Sequence, residues 1–164
     1  MSGELAFISC TVNGVRQELH VRTEEMLIDV LRDRLALTGT KLSCDLATCG
    51  ACSVLLDGKP AASCATFAWQ IDGADIRTIE GLAAPDGTLD PVQQAFVDNS
   101  AFQCGYCTPG MIVLARALLD HDPNPDRVAI RNWMGANICR CTGYEMIIEA
   151  VENAALMARE KSNE

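Results

Sequence analysis

Cys44-Asp45-Leu46-Ala47-Thr48-Cys49-Gly50-Ala51-Cys52, followed after a gap of eleven residues by Cys64, is the stretch on which the fold turns. A C-x4-C-x2-C triplet with a distant fourth cysteine is the plant-type spacing for a 2Fe–2S cluster. A tight loop wraps three thiolates around one site, and a neighbouring segment brings the fourth. The small residues Ala47, Gly50 and Ala51 let backbone N–H groups approach the sulfurs and offset their negative charge. Zinc is the competing occupant, but zinc sites usually pair two C-x2–4-C units. A lone triplet with a remote partner fits iron–sulfur better.

Around this loop the pattern is mixed. Leu5–Val12 and Val15–Arg22 alternate polar and apolar residues and are joined by Asn13-Gly14, a strong hairpin signal because both turn positions need positive φ. Ala6, Ile8, Cys10 and Val12 share one face, which makes Cys10 a core residue rather than a ligand. Thr23 reads as an N-cap for a helix carrying Leu27, Ile28, Leu31 and Leu35 and closed by Gly39. Ser53–Leu56 reads as a short strand meeting an Asp57-Gly58 turn, and residues 76–79 as a last strand. Residues 80–90, with Gly81, Pro85, Asp86 and Gly87, read as a linker.

The remainder is helical. Asp90 caps a helix over Pro91–Asp98, and Thr108-Pro109 opens another that runs to about residue 119. Asp126 caps a third through Trp133. Thr142 and Glu145 have capping-box spacing, followed by an apolar stripe of Tyr144, Ile147, Ile148, Val151 and Ala155.

Nine cysteines in 164 residues, an odd number gathered in tight groups, disfavour a disulfide scaffold. No secretory signal opens the chain and no apolar run is long enough to span a bilayer, so a cytoplasmic protein is expected. A formal net charge of −9 argues against nucleic acid or an anionic membrane as partner. The second cysteine group is Cys104-x2-Cys107 with Cys139-x-Cys141. By spacing alone it suits zinc or a cluster equally. Each pair precedes an expected helix start, where free N–H groups and the helix dipole favour an anionic group.

Four stretches carry a family likeness: Leu37-Thr38-Gly39-Thr40-Lys41, Cys49-Gly50-Ala51-Cys52, Gln103-Cys104-Gly105-Tyr106-Cys107-Thr108-Pro109-Gly110-Met111 and Asn137-Ile138-Cys139-Arg140-Cys141-Thr142-Gly143-Tyr144. They closely resemble the iron–sulfur small subunit of the molybdenum hydroxylases, the xanthine oxidase family. That family includes carbon monoxide dehydrogenase, aldehyde oxidoreductases and dehydrogenases of N-heteroaromatics. The resemblance implies an α+β chain: an N-terminal β-grasp, plant-type ferredoxin-like domain over residues 1–80, then an all-α four-helix iron–sulfur domain over residues 81–164. It implies two 2Fe–2S clusters, one on Cys44, Cys49, Cys52 and Cys64, the other on Cys104, Cys107, Cys139 and Cys141.

The resemblance also implies partners. A large subunit would hold molybdenum–pterin cytosine dinucleotide and a medium subunit FAD, assembled as a dimer of heterotrimers. Gln103 and Cys139 would lie against the pterin, with Gly50 and Gly105 as further cofactor-binding positions. Electrons would pass from molybdenum through the helical-domain cluster, then the ferredoxin-like one, to FAD. The substrate of such a complex is an N-heteroaromatic, an aldehyde or carbon monoxide, and no residue of this chain is catalytic. A stand-alone ferredoxin-type carrier is the alternative. Departures from the family pattern are Ser43 and Ala47 where glycines are common, Ser53 for threonine and Glu145 for glutamine.

Other residues carry less. His20 and His121 read as surface residues. Tyr106 reads as packing beside a cluster, and Trp69 and Trp133 as core or interface. Arg140 either offsets cluster charge or touches a partner. There is no G-x-G-x-x-G, P-loop or G-x-S-x-G motif, so nothing points to a nucleotide or substrate site.

Overall fold

The computed structural model describes residues 4–162. Strands β1 (Leu5–Val12) and β2 (Val15–Arg22) form the expected hairpin, with Val12 opposite Val15 and Asn13 and Gly14 both at positive φ. The alternation places Ile8, Cys10 and Val12 in the core. Strand β3 (Ser53–Leu56) pairs antiparallel with β4 (Lys59–Ala62) across the Asp57-Gly58 turn. Pro60 cannot donate to a ladder, and β4 accommodates it as an edge strand. Strand β5 (Asp75–Arg77) lies between them, parallel to β1 and antiparallel to β3, giving the order β2-β1-β5-β3-β4. A strand expected over residues 76–79 is thus one register earlier and shorter, because Ile79–Gly81 turns into a 3-10 helix.

The first helix differs from its expected form. The cap is Met26, not Thr23: residues 23 and 24 still turn, and Met26 makes a β-bridge with Phe67 before the chain can coil. Helix α1 (Leu27–Asp29) runs directly into a π-helical turn over Val30–Arg34 and ends at Leu35, short of Gly39. The apolar positions nonetheless do what their spacing predicts. Leu27, Ile28 and Leu31 are buried, two of them with Ile8, Val21, Val54 and Ile71 in the core beneath the sheet.

Four helices fill the second half: α2 (Pro91–Asp98), α3 (Thr108–His121), α4 (Arg127–Met134) and α5 (Glu145–Ser162). Asp90 accepts from the Val92 N–H at 2.8 Å, and Gln93 Oε1 accepts from the Asp90 N–H, completing a capping box. Asp126 accepts from the Ala129 N–H at 2.7 Å. Phe96, Met111, Ile130, Met134 and Ile147 are the largest fully buried side chains of the core these helices share. Burying one such side chain contributes roughly 1.5–3 kcal/mol. Sheet and helices meet where Leu55 of β3 packs against Val113 and Ala117 of α3. The segment expected as a linker is well tied: Gly39 N–H donates to Glu80, Gln93 to the Ile79 carbonyl, and residues 84–88 close a tight turn. No helix among the described residues is long and apolar enough to cross a membrane.

Candidate metal centres

The two cysteine groups lie in loops that touch each other, the Ile138 N–H donating to the Cys49 carbonyl at 2.8 Å. In the first, the loop before β3 takes its shape from left-handed backbone at Asp45 (φ 56°), Ala47 (φ 54°) and Gly50 (φ 71°). These reversals turn successive N–H groups inward. Leu46 and Cys49 N–H groups each lie 3.4 Å from Cys44 Sγ. Together with the Thr48 N–H and the Cys49 thiol they hold the Cys44 thiol down to about 6. Cys64 arrives on the 3-10 helix Ser63–Ala65, its Sγ 3.4 Å from that of Cys52. Burial pushes the Cys64 thiol up to about 11, against donation from the Ala47 N–H. The approach of N–H to sulfur therefore depends on backbone handedness more than on small side chains, since Leu46 takes part.

In the second group Cys107 is itself the N-cap of α3, and its carbonyl accepts from the Met111 N–H at 3.0 Å. Burial, then the neighbouring Cys139 and Cys104, push its thiol up to about 12. Cys104 and Cys141 are both exposed, with sulfurs 3.7 Å apart. Burial pushes the Cys139 thiol up, but donation from the Thr142 hydroxyl and N–H, then from Cys141 and Cys107, brings it below the ordinary value. The Thr142 Oγ1 stands 3.1 Å from Cys139 Sγ.

The expected cap at Thr142 is not formed, because its hydroxyl accepts from the Tyr144 N–H, two residues on. Helix α5 begins at Glu145, not beside Thr142, and the Glu145 carboxylate pairs with Arg127 instead of turning back to a cap N–H. Cys139 and Cys141 therefore do not sit at a helix N-terminus, whereas Cys107 does. Tyr144 (φ 69°) folds back, and its hydroxyl accepts from the Cys139 N–H and donates to the Asn137 carbonyl, both at 2.9 Å. Thr142 and Tyr144 were legible only as helix-capping and apolar residues. Their nearness to Cys141 in sequence was the available signal.

Among the described residues no three Cys, His, Asp or Glu side chains close on one point as a single ion would gather them. The thiols meet instead in pairs, Cys52 with Cys64 and Cys104 with Cys141. Pairs of thiolates, two for each of two irons, are the donor set of a 2Fe–2S cluster. The Thr108 hydroxyl, next to Cys107, is buried without a hydrogen-bond partner, which suits a polar group seated beside it.

The chain matches two family models: a 2Fe-2S iron-sulfur cluster binding domain over residues 10–78 and a 2Fe-2S binding domain over residues 78–152. It is 46% identical over 147 residues to the nicotine 6-hydroxylase small subunit of Paenarthrobacter nicotinovorans, covering 90% of this chain and 88% of that one. The chain belongs to the iron–sulfur small subunits of the molybdenum hydroxylases. The quinoline 2-oxidoreductase structure from Pseudomonas putida 86 superposes with a TM-score of 0.90 at 42% identity, covering 96% of this chain and 98% of the matched chain. An aldehyde oxidoreductase of Megalodesulfovibrio gigas is 47% identical over 157 residues; the chain spans 17% of its length.

As a molybdenum hydroxylase small subunit, the chain is an electron-transfer subunit of an oxidoreductase with two 2Fe–2S-binding domains. The structure places the remaining expected residues unevenly. Gln103 is exposed and its Nε2 donates to the Cys141 carbonyl at 3.1 Å. Cys139, paired with Gln103 by the resemblance, is 9% exposed and faces Thr142. The exposed thiols beside Gln103 are Cys104 and Cys141. Cys139 shares with Cys104, Cys107 and Cys141, and with Cys49 of the first group, the lining of one open cavity of about 180 Å³. Gly50 and Gly105 both adopt positive φ within the cysteine loops. Ser43 and Arg140 face solvent, as do His20 and His121. Cys10 is buried far from both groups in the sheet core. Trp69 stacks on Phe67 at the surface, Trp133 donates to the Leu114 carbonyl, and the Tyr106 hydroxyl donates to the Leu42 carbonyl.

Proposed function

We propose that this chain relays electrons one at a time between a molybdenum–pterin cytosine dinucleotide on a large partner subunit and FAD on a medium one, within a dimer of heterotrimers. Residues 1–80 form the ferredoxin-like unit and residues 81–164 the helical one. Cys44, Cys49, Cys52 and Cys64 ligate the first cluster; Cys104, Cys107, Cys139 and Cys141 ligate the second. The single observation that supports the reading is the closeness of the two cysteine loops, where the Ile138 N–H beside Cys139 donates to the Cys49 carbonyl at 2.8 Å. A 2Fe–2S cluster supplies a one-electron centre whose potential follows hydrogen bonding to sulfur, burial and local charge.

The protein's own groups do the tuning. Around Cys44 the backbone supplies the donors; around Cys139 a side-chain hydroxyl adds to them. The pterin-facing residues are Gln103 and Cys139, beside the exposed thiols of Cys104 and Cys141. Leu89, Val97 and Phe102 stand partly exposed around a groove of about 330 Å³ that continues to Ile79 and Ile112. Exposed apolar surface of that kind favours an embedded subunit over a stand-alone carrier. The substrate class, an N-heteroaromatic, an aldehyde or carbon monoxide, belongs to the large subunit.

The test is the iron, zinc and molybdenum content of the natively purified protein, with EPR of the dithionite-reduced sample. The expected result is two distinct 2Fe–2S signals, about four irons per chain, and molybdenum in larger chains that co-purify. One signal with stoichiometric zinc and no larger chains overturns it.

A further inference from the structure

Asn137 is 5% exposed and lies where the two cysteine loops touch. Its Nδ2 donates to the Gly110 carbonyl at 3.0 Å and to Ser53 Oγ at 3.3 Å, and Ser53 Oγ in turn donates to the Gly50 carbonyl at 2.8 Å. Each of these residues is a near neighbour of a cysteine. Gly50 sits between Cys49 and Cys52, Ser53 follows Cys52, Gly110 is the third residue after Cys107, and Asn137 is the second before Cys139. One carboxamide thus touches the backbone of both loops.

The fit leaves no slack. A Cβ on Gly50 would stand 1.6 Å from Asn137 Oδ1, and a Cβ on Gly110 would stand 2.3 Å from the Gly50 carbonyl oxygen. Both clashes lie well inside van der Waals contact, and the second is with backbone, which cannot rotate away. Glycine is required at both positions by approach distance. Asn137 is not what holds the two halves together, however. Leu55 packs against Val113 and Ala117 in a separate apolar contact, so loss of the carboxamide leaves the halves docked while freeing the local spacing.

We propose that Asn137 is a positioning residue that sets the gap between the two clusters, and with it their electronic and magnetic coupling. This rests on the two-cluster reading above. The relevant step is the passage of one electron from the reduced cluster of one loop pair to the oxidised cluster of the other. One is oxidised as the other is reduced, and no proton or bond is exchanged. The carboxamide acts on that step only through distance. Dipolar coupling between two spins falls as the inverse cube of their separation, so the gap is directly readable. A buried amide whose partners are all backbone or hydroxyl groups is suited to this, because a partly broken network leaves polar groups unsatisfied and favours one discrete spacing.

The experiment compares the natively purified wild-type protein with Asn137→Ala, which deletes the amide bridge, and Gly110→Ala, which wedges a methyl against the Gly50 carbonyl at the same junction. Asn99→Ala, which removes a contact between α2 and α5 away from the cysteines, serves as a control. Iron content, the midpoint potential of each cluster, and the splitting or relaxation enhancement of the reduced-state EPR signals are read for each. The expected result is undiminished iron, with inter-cluster splitting reduced or lost in both loop variants and unchanged in the control. The double variant should show a non-additive effect, since one substitution removes the amide bridge and the other forces a methyl into the same junction. Undiminished iron with unchanged splitting in both loop variants overturns the proposal, as does loss of iron from both, which makes the contact a stability element. A wild-type protein lacking two 2Fe–2S signals defeats the underlying functional reading instead, so the two failures are distinct.

Discussion

Replacing Thr142 by valine removes one hydroxyl and keeps the branched shape. In the structure that hydroxyl is 3.1 Å from Cys139 Sγ and accepts from the Tyr144 N–H at 3.2 Å. Donation to a ligand sulfur stabilises the more negative, reduced state over the oxidised one. Its loss therefore lowers the potential of the cluster that Cys139 ligates. Taking the differential as about 1–2 kcal/mol, the net worth of one such bond to a partly charged acceptor, and about 59 mV per tenfold change for one electron, the fall is about 40–90 mV. The remaining donors to Cys139, the Thr142 N–H at 3.5 Å among them, are unaffected and keep the shift finite. The assay is a redox titration of the purified protein followed by EPR, with both signals resolved. Thr142→Ser, which restores a hydroxyl, should recover most of the shift. An unchanged potential in Thr142→Val, or a fall in the other cluster instead, refutes the assignment of this hydroxyl to Cys139.

Four further outcomes follow from the same geometry. Cys44→Ala and Cys104→Ala should each abolish a different one of the two EPR signals and halve the iron, and loss of the same signal from both would overturn the ligand sets. Cys10, buried and with its thiol pushed up first by burial and then by Asp72, should resist alkylation until the chain unfolds; peptide mapping after labelling with and without denaturant decides this. Ala47→Gly relieves a left-handed alanine at about 1–2 kcal/mol against the extra entropy of glycine at about 0.5–1, so stability to urea should rise by on the order of 0.5 kcal/mol with iron undiminished. Asp90→Ala removes the cap on α2 and the weaker of two carboxylate partners of Arg116, which keeps Asp120, and should cost about 1 kcal/mol in chemical denaturation.

What the sequence disclosed depended on how local its causes were. The Asn13-Gly14 hairpin and the caps at Asp90 and Asp126 rest on contacts a few residues apart, and the pattern alone located them. Thr142 failed as a cap because its hydroxyl accepts from the Tyr144 N–H two residues on, and the left-handed backbone at Tyr144 delays the helix to Glu145. No spacing rule foresees that turn. Thr23 failed because Met26 is held extended by Phe67, a contact forty-one residues away. Strand β4 carries Pro60 and shows no alternation, so only its place at the sheet edge identifies it. Cys139 and Cys141 are equivalent by motif, and their difference in exposure comes from the fold of Tyr144 over one of them.

The most consequential contacts are also the least local. Ile138 reaches Cys49, Asn137 reaches Gly50 and Ser53, and Tyr106 reaches Leu42, all across more than sixty residues. Each joins a residue beside one cysteine group to a residue beside the other. If the halves merely shared a chain, such contacts would scatter over the whole interface, and the apolar patch at Leu55 would suffice. Their concentration at the cysteine loops means that the spacing between loops is more tightly determined than the spacing between domains. An electron relay needs that ordering of tolerances: its rate depends on the separation of two centres, while the bodies that carry them need only remain attached. Glycine at positions 50 and 110, small enough for backbone to meet backbone, is the sequence-level condition that makes it possible.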